Sequence, residues 1–139
     1  MFAGASREQL RSFYLDTWRK FRAGAPLEPL EAQVAAVIAE HPEYVPLLEH
    51  ESTLRSEFDP ESGQLNPFLH LSLHLALREQ LATDRPRGIS QVHHRLSARD
   101  GAHEAEHLML EVLGETLWAA QRGNQPPDET KYLERLKSL

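Results

Sequence analysis

Two pairs of histidines stand at helical spacing, His70 and His74 in NPFLHLSLHLALREQ and His103 and His107 in GAHEAEHLMLEVLG. A helix turns by about 100° per residue, so positions four apart lie about 40° apart around the axis and one turn apart along it. Both imidazoles of a pair then face one point in space, and two such helices packed together can surround a metal ion. The chain contains no cysteine, which excludes thiolate zinc sites, iron–sulfur clusters, disulfides and a thiol nucleophile. Any metal must be held by nitrogen and oxygen.

The direction of the rings decides their meaning. His70 and His74 share a stripe with Leu77 and Leu81, while Ser72 and Glu79 lie on roughly the opposite side, so both rings point toward the core. On the second helix Glu104, Glu111, Glu115 and Arg122 mark the exposed face and Leu110, Leu113 and Leu117 the core face. His103, His107 and Gly114 sit beside that core stripe. Glu106 also falls on the apolar side, where a carboxylate is costly unless it pairs or binds a cation. A metal explains it. His93 lies on the inward side of its own helix and is a candidate fifth nitrogen ligand, whereas His94 points elsewhere. His41 and His50, near helix ends, are expected to interact with terminal carbonyls.

The elements that must position these residues are helical throughout. No alternating run rich in β-branched residues suggests a sheet, and Pro/Gly punctuation separates the periodic stretches. Ser6 and Gln9 form a capping-box pattern that opens a first helix ending near Gly24, with Leu10, Phe13, Tyr14, Thr17 and Phe21 inward. A second helix follows Pro29 and stops at about His41, before Pro42. A short helical piece, Glu43 to Glu49, continues the path. Residues 51–65, ESTLRSEFDPESGQL, are polar and turn-rich and read as an exposed loop. Asn66 and Pro67 are an N-cap and a first-turn proline for the helix bearing His70 and His74, which runs to about Ala82. Thr83 to Gly88 is a turn, Ile89 to Arg99 a short helix, and Ala102 to Arg122 a longer one ended by Gly123. A C-terminal helix starts near Asp128, with Tyr132, Leu133 and Leu136 inward. The expected fold is all-α: a single-domain bundle of about five to six helices over residues 1–139.

Composition narrows the function classes. Of 139 residues, 40% are hydrophobic and 26% charged, which suits one globular domain with a real core. The net charge of −6 comes without any Lys/Arg cluster, so nucleic acid is a poor partner. No run of apolar residues is long enough to cross a membrane, and the opening MFAGASREQLRSFYLD has no basic segment followed by an apolar one, so a cytoplasmic protein is expected. A homo-oligomer is compatible with everything in the sequence.

Three resemblances bear on the chemistry. His103-Glu104-Ala105-Glu106-His107 matches the His-Glu-x-x-His of zinc metalloproteases, which implies His103 and His107 as zinc ligands, Glu104 as the base, and a third ligand from His70 or His74. Asp100-Gly101-Ala102 ahead of it is not a core helix turn, and no strand-rich half is visible to hold an extended peptide. His-x-x-x-His on one helix joined by histidines from another resembles the histidine-rich bundles of the hemerythrin and DinB-like type. Glu104 to His107 contains the Glu-x-x-His of ferritin-like di-iron sites, but the other helix offers histidines where a second such motif is required. Across nearly the whole chain, REQLRSFYLDTWRK, NPFLHLSLHLALREQ, ATDRPRGI and HEAEH resemble a family of small bacterial proteins known only as a domain of unknown function. That resemblance implies a bacterial, cytoplasmic protein and no particular activity.

The reading is a helical bundle in which His70, His74, His103, His107 and Glu106 bind a divalent transition metal. Neutral imidazoles with a carboxylate suit zinc or ferrous iron. An open coordination position would let the metal activate water, as in a metal-dependent hydrolase with Glu104 as the base, or bind a small molecule. The alternative is a non-catalytic structural or interaction domain whose histidines form a buried hydrogen-bonded network.

Overall fold

Ser6 opens the first helix as its spacing to Gln9 predicts: the Ser6 hydroxyl accepts from the Gln9 N–H, and the Gln9 side chain accepts from the Ser6 N–H. The computed structural model describes residues 6–58 and 66–139. Among these it contains seven α-helices and no strand: α1 (Arg7–Arg22), α2 (Pro29–Ala39), α3 (Val45–Leu48), α4 (Pro67–Thr83), α5 (Ile89–Asp100), α6 (Ala102–Arg122) and α7 (Glu129–Lys137). All-α architecture holds. The count exceeds five to six because Pro42–Tyr44 forms a 3-10 turn and Val45–Leu48 a separate short helix. Residues 59–65 of the expected loop lie outside the described residues. Its first part, Glu51–Arg55, is a 3-10 helix with Thr53 buried.

By packing, the chain divides after Ser72, within α4, into two compact units. In the first, α1 and α2 are joined by an ion pair between Lys20 and Glu31 at 2.8 Å. Tyr14, Leu15, Trp18, Val34, Val37, Ile38, Leu48, Phe68 and Leu71 are buried. The inner face of α1 differs from the periodicity in one place. Phe21, expected inside, is 45% exposed and stacks on Trp18 at 5.2 Å, because it sits in the last turn, past the residues that cover the helix. Arg11 is buried instead. Its guanidinium donates to the carbonyls of Thr53, Leu54 and Ser56 and lies over the rings of Phe58 and Phe68, so its charge is matched by carbonyl dipoles and aromatic faces rather than by a carboxylate. Tyr14 and Ser72 share a hydroxyl hydrogen bond of 2.6 Å.

The second unit holds the rest of α4 with α5, α6 and α7. Its core is Leu77, Ile89, Val92, Leu96, Ala105, Met109, Leu110, Val112, Leu113, Tyr132 and Leu136. Gly101 alone connects α5 to α6 at φ +91°, a backbone conformation that a side chain would strain. The Tyr132 hydroxyl donates to Gln80 at 2.7 Å, which ties α7 to α4. Before α5, the Asp84 carboxylate accepts from the N–H groups of Gly88 and Ser90 and satisfies donors that a helix start leaves open. Asn66 does the same for α4, accepting from Phe68 and Leu69. On α6 the buried face is centred on Ala105, Met109, Val112 and Leu113. Leu117 falls at its edge and is 40% exposed, where the sequence pattern placed it inside.

Two leucines of α4 provide a test. Leu77 is fully buried and Leu69 is 58% exposed. Leu77→Ala is expected to lower unfolding free energy by about 2–5 kcal/mol, and Leu69→Ala to change it by less than about 0.5 kcal/mol. Equal losses in denaturant titrations would contradict this assignment of the core.

Candidate metal centre

In the first unit the apolar stripe of α2 does not end with the helix. Val37 and Ile38 are buried, and His41, four residues after Val37, is only 3% exposed. The His41 Nδ1–H donates to the Val37 carbonyl at 2.8 Å, a carbonyl of the last turn of α2 that also accepts from the Glu40 N–H at 3.2 Å. Its ring stacks on Tyr44, with centroids 5.6 Å apart, and meets His70 edge-on at 5.0 Å. Tyr44 lies 5.9 Å from His70. Burial, with the nearby Glu43 carboxylate, raises the pKa of the Tyr44 phenol, so it stays protonated.

In the second unit His74 is 2% exposed and its Nδ1 lies 2.7 Å from Glu106 Oε1. Arg78, one turn beyond His74, grips the same carboxylate with Nε at 2.9 Å and Nη2 at 3.3 Å, a paired contact of the strong kind. Burial by itself would raise the Glu106 carboxyl. The hydrogen bonds from His74 and Arg78, with the guanidinium charge, outweigh it and hold the pKa at about 2. Glu106 is therefore ionised and can only accept, so His74 Nδ1 must carry the proton. His107 Nδ1 donates to the His103 carbonyl at 2.9 Å. The His107 ring lies 4.9 Å from that of His74 and 4.4 Å from that of His103.

His41, His74 and His107 thus share one arrangement. Each gives its Nδ1 proton to an acceptor that cannot donate, and in the neutral ring this leaves the lone pair on Nε2. Histidines that bind metals are oriented in this way, by a carbonyl or carboxylate on the other ring nitrogen. Within the first unit His41 packs with His70, and within the second His74 packs with His107, so each unit carries a pair of nitrogen donors of the kind that holds a metal ion.

The residues singled out from the sequence fall in different places. His74, Glu106 and His107 are brought together, and His103 stands beside His107 at the exposed start of α6. Glu106 spends both oxygens on His74 and Arg78. His70 is packed with His41 and Tyr44. Glu104 is exposed in the first turn of α6. His93 is half-buried with Nε2 3.5 Å from the Ser97 hydroxyl, and His94 and His50 are exposed.

A family model described as a domain of unknown function (DUF1841) matches residues 6–138. The chain belongs to that family. No curated protein and no solved structure matches it. Among the described residues of this DUF1841 chain, no helix is long and apolar enough to cross a membrane.

Two residues of the site escaped the sequence reading. His41 was assigned to a helix-end carbonyl, which it does bond, but its place three after Ile38 and four after Val37 already continued the buried stripe. Arg78 follows His74 by four, the spacing that had marked the histidine pairs.

The Glu106 carboxyl provides a test in metal-free protein. Its pKa lies below the ordinary 4.5 when folded, so its stabilisation is present above that value and is lost as pH falls through about 2. A shift of this size corresponds to about 3 kcal/mol. Wild type should exceed Glu106→Gln by about that much near neutral pH, with the gap closing in acid. A gap that stays constant from neutral pH to below about pH 2 in urea titrations would contradict it.

Proposed function

We propose that the protein binds divalent transition metal at pairs of imidazoles, His41 with His70 in the first unit and His74 with His107 in the second. The observation that carries this reading is the shared Nδ1–H donation of His41, His74 and His107 to Val37, Glu106 and His103. These three buried or half-buried imidazoles, each fixed in one tautomer within its own unit, are donors prepared for a cation, with the loss of rotational freedom already met on folding. His70 packs against His41 in the first unit. Glu106 serves through His74, making that imidazole a stronger donor, and Arg78 keeps the carboxylate ionised.

Four neutral nitrogens and no thiolate suit zinc or ferrous iron. The ligand-bearing histidines come from α4, α6 and the turn after α2, so the metal would bind the folded chain and stabilise it. Where water completes the coordination, the bound ion would lower that water's pKa and supply a hydroxide for hydrolysis or a position for a small anion. Glu104, exposed in the first turn of α6, is the less favoured base. A second reading has one observation in its favour. Glu106 is already matched by His74 and Arg78, so this part of the histidine network is satisfied without any ion.

Metal titration separates the two. Metal-free protein is expected to take up zinc, and His41→Ala, His74→Ala and His107→Ala each to reduce that uptake, while His50→Ala and His94→Ala keep it. Glu106→Gln should weaken binding by about 10–100-fold. Because imidazoles bind only when neutral, chelation should lower the melting temperature near pH 7.5 and change it little near pH 5. No uptake of zinc or iron, or equal uptake in all five histidine variants, would leave the metal-free network as the function of these residues.

A further inference from the structure

Beside the proposed ligands stands a histidine that they do not need. His103 is exposed at the second position of α6, His107 is half-buried one turn later, and His74 is 2% exposed. Their rings form an unbroken series, 4.4 Å between the centroids of His103 and His107 and 4.9 Å between His107 and His74. Exposure falls at each step from solvent to core.

We propose that this series is an uptake path, in which His103 makes the first contact with a hydrated divalent cation and passes it to His107 and then His74. The proposal rests on the metal reading above and adds its kinetics. The first imidazole replaces one water of the ion, and as the ion moves on the bond to the imidazole behind it breaks while the nitrogen of the next ring takes its place. The place of His103 suits a transient ligand. The start of a helix carries partial positive charge, which disfavours a resident cation there, and an exposed ring with no hydrogen-bonded acceptor fixing its orientation binds weakly. His107 differs, because the His103 carbonyl fixes its ring. That contact uses the backbone and survives any substitution of the His103 side chain.

The test is rapid mixing of metal-free protein with cobalt(II) in a weakly coordinating buffer, followed by the visible absorption of the imidazole-bound ion. His103→Ala is expected to slow both association and release by about tenfold, about 1.4 kcal/mol on each barrier, while the equilibrium affinity stays within about twofold of wild type. The two rates must fall together, because a residue absent from the final complex cannot change its stability. His94→Ala, also an exposed histidine on a helix, should leave both rates unchanged. Unaltered rates in His103→Ala would overturn the path. So would a loss of affinity with unchanged association, which would make His103 a resident ligand. If wild type takes up no cobalt, the metal reading itself fails and the path falls with it, a result distinct from the other two.

Discussion

The hydrogen bond from His74 to the Glu106 carboxylate is the interaction on which the site depends. Burial by itself would raise the pKa of this carboxylate. The hydrogen bonds from His74 and Arg78 outweigh it, and the ionised Glu106 then dictates which nitrogen of His74 carries the proton. Removing either partner would leave a buried charge or a ring without a fixed tautomer. The expense of keeping three polar groups in the interior is explained most simply if Nε2 of His74 has something to bind.

The same logic recurs with weaker acceptors. His41 uses a carbonyl at the end of α2 and His107 a carbonyl one turn back on α6. Both exploit groups that the helices supply anyway, a helix end in one case and a second acceptor lone pair in the other. Each unit therefore sets the orientation of its own histidines by local structure. Folding of α2 and its following turn fixes His41, and the first turns of α6 fix His107. The family match gives these residues a common setting over residues 6–138 without assigning them an activity.

Much of the fold was legible because the chain marks its helix starts. Ser6, Asn66 and Asp128 all cap the helices they were expected to cap, and Gly101 and Pro42 interrupt where backbone geometry requires it. The edges of the apolar stripes were less legible. Phe21 and Leu117 are large and correctly phased but lie at the margin of what their neighbours cover. Periodicity reports the face of a helix and not the extent of its cover. At the site, the inward turn of His74 and the unusual position of Glu106 could be read from spacing. The partners of Glu106 could not, since spacing along α6 does not say which side chains of α4 meet its carboxylate. His41 was passed over although its phase with Val37 and Ile38 continues the buried stripe of α2, because its position at the helix end already accounted for it through a terminal carbonyl.

The account makes a claim about individual nitrogen atoms, and nitrogen-15 spectra of the histidine side chains test it most directly. In zinc-loaded protein, His41, His74 and His107 should each show a protonated Nδ1 and a metal-shifted Nε2, with Nδ1 of the same three already protonated before zinc is added. Zinc bound through Nδ1 of these rings, or zinc that leaves their Nε2 signals unmoved, would contradict the account.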